Sequence, residues 1–143
     1  MRKNKLDLYL HLIWATWDRQ PLISPEIERP LHRIIESEAL SLGCKVLALN
    51  GVPDHIHLAI KLPTTLPIAD LMKQVKGVSS NFANEVLLPD KSFKWQSNYG
   101  AFTVSRWDVE KIVAYIRHQK EHHSNNEIYP EWEQTFEEME KPT

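Results

Sequence analysis

Val52-Pro53-Asp54-His55-Ile56-His57-Leu58-Ala59-Ile60 is an apolar run carrying two histidines two residues apart. Read as a strand, it alternates faces: His55 and His57 point one way, and Ile56 and Leu58 point the other way, into a core. Two imidazoles on one face of a rigid strand make half of a divalent-metal site. The same pair also describes two histidines on the wet face of an antiparallel sheet, and so short a motif matches often by chance. A second group of residues has to decide between these readings.

Working outward from that strand, Cys44 to Gly51 reads as its neighbour, joined by a short link, so antiparallel pairing is expected. Ahead of it, Ser24-Pro25-Glu26-Ile27 has the chemistry of a helix start, with Ser as N-cap, Pro at the first position and acids in the first turn. Ile27, Leu31, Ile34, Ile35, Ala39 and Leu42 form the apolar stripe and Gly43 the stop, while Pro30 is expected to delay or kink the helix. The opening strand, Leu6 to Thr16, sets Leu6, Leu8, Leu10 and Leu12 against Asp7, Tyr9, His11 and Ile13. His11 then lies on the side of the histidine pair, where a structural role is expected for it.

Downstream, Ile68, Leu71, Met72, Val75, Val78, Phe82 and Val86 mark a long helix ending near Leu88-Pro89, with Lys73 and Lys76 on its exposed side. Lys91 to Gly100 interleaves cations with aromatics, and Ala101 to Val104 is a short strand. Ser105-Arg106-Trp107-Asp108 has capping-box spacing ahead of an apolar face made by Val109, Ile112, Val113 and Ile116. The order β-α-β-β-α-β-α predicts an α+β fold: a ferredoxin-like βαββαβ antiparallel sheet with an additional C-terminal helix. One domain is expected over residues 1–143, with a core at 6–125 and an acidic tail at 126–143.

Composition sets the outer limits. With 42% hydrophobic and 25% charged residues the chain is ordinary globular protein, and its one cysteine, Cys44, provides neither an internal disulfide nor a zinc cluster. The basic start, Met1 to Lys5, leads into an apolar segment broken by Asp7, His11 and Asp18, which is neither a signal peptide nor a membrane span. A cytoplasmic protein is expected. The net charge of −2 divides unevenly: residues 1–120 hold 16 Lys and Arg against 12 Asp and Glu, whereas residues 121–143 hold 1 against 7. A mildly basic body is compatible with a nucleic-acid partner, and the acidic tail fits a solvated terminus equally well.

The additional helix carries Tyr115-Ile116-Arg117-His118-Gln119-Lys120-Glu121-His122-His123. Tyr115 and Gln119 are four residues apart and share a helical face, with His122 one turn further on. That face lies beside the Val109/Ile112/Val113/Ile116 stripe, so Tyr115 and Gln119 are expected at the edge of the helix contact.

With these residues in place the chain resembles the single-tyrosine HUH transposases of small bacterial insertion sequences (the insertion-sequence two-hundred-like family) and their REP-associated relatives. Five stretches carry the likeness in order: Tyr9 to Thr16 with Arg19 and Pro21-Leu22; Pro53-Asp54-His55-Ile56-His57-Leu58; Leu71 to Ser80; Trp95-Gln96 with Tyr99 to Ser105; and Tyr115-Ile116 with Gln119 and Glu121-His122-His123. The departure from the family pattern comes after His123, where Ser124 to Pro130 is longer than usual.

The resemblance implies a metal-dependent, ATP-independent cleavage and rejoining of single-stranded DNA with hairpin ends. Tyr115 would be the nucleophile, and His55, His57 and Gln119 would hold Mg²⁺ or Mn²⁺. A homodimer is implied, with the tyrosine helix of one subunit docked on the histidine pair of the other. Arg19, Lys73, Lys76, Lys94, Trp95 and Tyr99 are candidate contacts to phosphates and bases, since unpaired DNA is held by cations and stacking aromatics. Two other readings stand beside it. One is a domesticated nucleic-acid-binding or nicking protein that no longer transposes; the other is a ferredoxin-like metabolic or sensor domain with a metal at the histidine pair.

Overall fold

A computed structural model describes residues 4–124; the expected acidic tail lies outside the described residues. Four strands, β1 (Tyr9–Ala15), β2 (Lys45–Val52), β3 (His55–Lys61) and β4 (Gly100–Val104), form one antiparallel sheet in the order β2-β3-β1-β4. Helices α1 (Pro25–Ser41) and α2 (Ile68–Phe82) supply the two crossovers, completing the βαββαβ unit. Two more helices, α3 (Val109–Arg117) and α4 (Gln119–Ser124), follow β4.

The period-two reading of β1 and β3 holds. Leu10, Leu12 and Trp14, with Ile56, Leu58 and Ile60, pack against Ile27, Leu31, Ile35 and Ala39 of α1 and against Leu71, Met72 and Val75 of α2. Strand β1 is shorter than expected because its first residue, Tyr9, pairs with the last residues of both neighbours, Lys61 and Val104. Beyond that point one backbone bond continues, from Leu62 N–H to the Leu8 carbonyl (2.7 Å), and the Leu6 and Leu8 side chains are exposed. Helix α1 runs continuously through Pro30, which neither delays nor divides it; the lost N–H bond is offset by the four side chains that its stripe buries.

The stop after α1 is as expected. Gly43 adopts φ +92°, and the N–H groups of Gly43 and Cys44 donate to the carbonyls of Leu40 and Ala39. Between β2 and β3 only Pro53 and Asp54 intervene, pinned when Thr16 N–H donates to Asp54 O (2.9 Å) and Ile23 N–H donates to Pro53 O (2.9 Å). Gly51 is needed beside this turn, since a Cβ there would run into the His55 carbonyl oxygen.

Two expectations fail near helix ends. Val86 does not extend the α2 stripe: a π turn over Ala83–Leu87 inserts an extra residue, burying Ala83 and leaving Val86 exposed. The final helix is not continuous, because α3 and α4 are separated at His118 (φ −104°, ψ 24°). The Ser105–Asp108 contact exists, with Ser105 Oγ donating to Asp108 Oδ2 at 3.1 Å, but it belongs to the turn ahead of α3, not to a capping box. Among the described residues, no helix is long and apolar enough to cross a membrane.

Candidate active site on the histidine face of the sheet

The sheet has a second face. It carries His11 from β1 and His55, His57 and Ala59 from β3, and α3 and α4 cover it, so the pair is not wet: His55 is 1% and His57 0% exposed. Small residues make room for the cover. Ile112 and Ile116 of α3 pack on Ala48 and Ala59, with Leu47, Val104 and Val113 at the margin.

Each imidazole of the pair is oriented by a neighbour. His55 Nδ1 donates to Asp54 Oδ1 at 2.7 Å, and His57 Nδ1 lies 2.8 Å from His11 Nε2 with the two rings stacked, centroids 5.0 Å apart. A histidine whose Nδ1 is held in this way is left with Nε2 as the nitrogen that could take a ligand. His11 thus has the structural role expected of it. Partial burial pushes the Asp54 carboxyl up, but the hydrogen bond from His55, with the charges of His55, Arg19 and His123, outweighs this and holds it below the usual carboxylate range.

The helices bring the second group of residues to the pair within one chain. The Tyr115 ring stands edge-on to His57, centroids 6.0 Å apart, and Tyr115 and Gln119 are both buried. They do not lie at the margin of the helix contact, as the continuous-helix reading expected. The reason is that α3 seats its tyrosine side directly on the sheet, and the break at His118 turns Gln119 inward at the head of α4.

His123 was missed as a candidate, although it follows Gln119 by one helical turn; its ring lies 5.0 Å from that of His55. Among the described residues His55, His57 and His123 are grouped so that one ligating atom of each falls within 4.8 Å of the others. Three imidazole nitrogens at that spacing fit a divalent cation.

The expected DNA-contact residues divide. Trp95 is a core residue and offers no face to a base: it is 6% exposed, packs edge-on against Trp14 and Phe93, and donates its indole N–H to Ser79 Oγ at 2.9 Å. Lys76 is half-buried, not on the open side of α2. Its ammonium donates to the carbonyls of Gln96 (2.6 Å) and Asn98 (3.2 Å) close to the Tyr99 ring, and burial lowers its pKa to about 8. Tyr99 packs against the main core.

Lys73 and Lys94 are exposed, and Arg19 pairs with Asp54 (3.5 Å). An exposed aromatic beside Lys94 is Trp17, with Lys94 Nζ 3.9 Å from its ring centroid. Its loop adjoins the histidine edge through the Thr16–Asp54 bond. No pattern in the sequence marked Trp95 as buried, because Trp14 and Ser79, which help to enclose it, lie far away along the chain.

Comparison with known proteins identifies the family. The family described as "Transposase IS200 like" matches residues 4–119. The chain is similar to the ISDra2 transposase TnpA of Deinococcus radiodurans, with 31% identity over 131 residues, covering 85% of this chain and 94% of that one. It is also similar to the transposase for insertion sequence element IS200 of Salmonella typhimurium, at 27% identity, covering 78% and 76%. Among solved structures, a Deinococcus radiodurans R1 protein assigned as a transposase superposes with TM-score 0.65 and 26% identity over 91% of this chain and all of that one. A REP-associated tyrosine transposase bound to a REP hairpin shares the fold at TM-score 0.66 and 14% identity, covering 86% and 73%. With the profile spanning most of its length and the fold in agreement, the chain belongs to the IS200-like transposase family.

Proposed function

We propose that this transposase nicks hairpin-bearing single-stranded DNA through Tyr115 and passes the strand on without ATP. The observation that carries the reading is the Tyr115 ring against His57 within a single chain. The Tyr115 oxygen, losing its proton, attacks a phosphodiester; the P–O3′ bond breaks and the departing oxygen leaves as a 3′-OH. The product is a 5′-phosphotyrosine bond, which keeps the energy of the broken bond, so a 3′-OH of another strand can reverse the step.

A divalent cation, Mg²⁺ or Mn²⁺, held by His55 and His57 with the Gln119 amide oxygen, would offset charge on the non-bridging phosphate oxygens. Asp54 and His11 keep the two imidazoles turned toward that position, and α3 holds the tyrosine beside it. Arg19, Lys73 and Lys94 bind the backbone and Trp17 stacks on an unpaired base, while Lys76, Trp95 and Tyr99 hold the loop that presents Lys94.

Residues 6–125 form the working unit, 126–143 an appended tail, and the protein acts in the cytoplasm where the DNA lies. We take the homodimer that the resemblance implies as the assembly, but draw each catalytic set from one subunit, since one chain gathers Tyr115, His55 and His57. Mixing Tyr115→Phe with His57→Ala subunits tests this choice: shared sites regain activity in the mixture, and single-chain sites do not.

Labelled hairpin oligonucleotides incubated with the protein and Mn²⁺ should give an SDS-resistant adduct that is absent in Tyr115→Phe. An adduct that persists in that variant refutes the nucleophile. Binding without cleavage of any oligonucleotide from the gene's own flanks would favour a domesticated binding protein.

A further inference from the structure

We infer that His123 is a third imidazole ligand of the cation site, so that the metal itself fastens the tyrosine segment to the sheet. The inference deepens the proposed function and rests on its reading of His55 and His57 as metal ligands. His55 and His57 are fixed on β3, two residues apart on one face. His123 comes from a different element, α4, and is half-buried against them, its ring 5.0 Å from His55 and its ligating atom within 4.8 Å of theirs. Gln119 precedes it by four residues, so the two side chains leave the same side of α4.

The approach is supported by bonds from the start of α4 to β2 and α1. Lys120 donates to Asn50 Oδ1 of β2 (2.7 Å) and pairs with Glu28 of α1 (2.5 Å), while Asn50 Nδ2 donates to the Arg117 carbonyl at the end of α3 (2.9 Å). Asn50 stands opposite His57 across the β2–β3 pair, so these bonds moor α4 to its own chain beside the histidines.

Two consequences follow. Three imidazoles with one amide oxygen form a softer donor set than two imidazoles do, which shifts preference from Mg²⁺ toward Mn²⁺ and the later transition metals. And because the ligands come from β3 and α4, occupancy stabilises the docked position of α3 and α4 over any lifted one.

The test uses the full chain, stripped of metal, titrated with Mn²⁺ and followed by electron paramagnetic resonance, comparing the wild type with His123→Ala and His57→Ala. His123→Ala should weaken Mn²⁺ binding at least ~10-fold and reduce the coordinated imidazole nitrogens from three to two. Mn²⁺ should slow amide hydrogen exchange in α3 of the wild type and much less so in His123→Ala, with circular dichroism confirming that both are folded. Equal affinity and an equal nitrogen count in His123→Ala would overturn the inference while leaving the His55–His57 site standing. Absence of Mn²⁺ binding by the wild type would overturn both.

Discussion

The two faces of the sheet are built on opposite principles, though they share every strand. Under α1 and α2, Leu, Ile and Trp side chains interlock in one continuous apolar layer. Under α3 and α4, the apolar contact is a small cluster of Ala48, Ala59, Ile112 and Ile116 with Leu47, Val104 and Val113 at its margin, and the face also holds His11, His55, His57, Tyr115 and Gln119. At roughly 25 cal/mol per Å² of apolar surface removed from water, the first layer supplies most of the folding energy. The second supplies little, so its cover is secured by local bonds such as those of Asn50 and Lys120. One sheet thus separates stability from chemistry by alternation along each strand.

Adjacent residues of β3 offer the sharpest way to break this comparison. His57→Ala should lower adduct formation roughly 10³-fold, about 4 kcal/mol of barrier, and cost only about 1–2 kcal/mol of stability through the lost bond to His11. Leu58→Ala, one residue away, should cost about 3–4 kcal/mol of global stability in denaturant titration. If both substitutions destabilise equally, the division of labour is wrong.

Acid should find the seam between α1 and the β2 edge next. Burial lowers the His32 pKa from 6.5 to about 4; Glu28 pulls it upward and Lys120 downward, but burial prevails. The folded chain therefore resists a proton that the unfolded chain accepts below pH 6.5, and stability falls as the pH drops from about 6.5 to 4, by about 3 kcal/mol in all. Urea midpoints across that window should flatten in His32→Gln; an unchanged slope assigns the acid sensitivity elsewhere.

A smaller effect is expected from Ile116→Ala, about 2 kcal/mol, appearing as faster hydrogen exchange in α3 with α1 and α2 still protected. Loss of protection in all the helices together would mean that the two layers unfold as one. Trp17→Ala should weaken single-strand binding by about 1–2 kcal/mol in a fluorescence titration without altering the fold.

What could be read in advance follows the range of the forces involved. Strands β1 and β3 were legible because alternation is local and binary, and the β2–β3 pairing followed from the short link between them. The break at His118 was not, since neither glycine nor proline marks it; the chain bends where α3 has run its apolar side along the sheet. Reading the helix as continuous misplaced Tyr115 and Gln119 and hid His123, although the spacing 115, 119, 123 was present throughout. In the Lys91–Gly100 loop, composition pointed to aromatics and cations but not to the burial of Trp95, held by Ser79 and Trp14, and the exposed Trp17 beside Lys94 lies in another segment.

The bonds of Asn50 carry one more consequence, for which substitutions the chain can tolerate. Its amide donates to the Arg117 carbonyl and accepts from Lys120 and from the Gly51 N–H, so one short side chain needs a donor and an acceptor at once. Aspartate matches it in shape yet has no donor and would set negative charge against a carbonyl oxygen. Leucine fills the space and answers neither neighbour. Glutamine has the right groups on a stem one carbon too long for both bonds. Across a library of all substitutions, position 50 should therefore accept fewer residues than the partly exposed strand positions around it, despite lying on an edge strand.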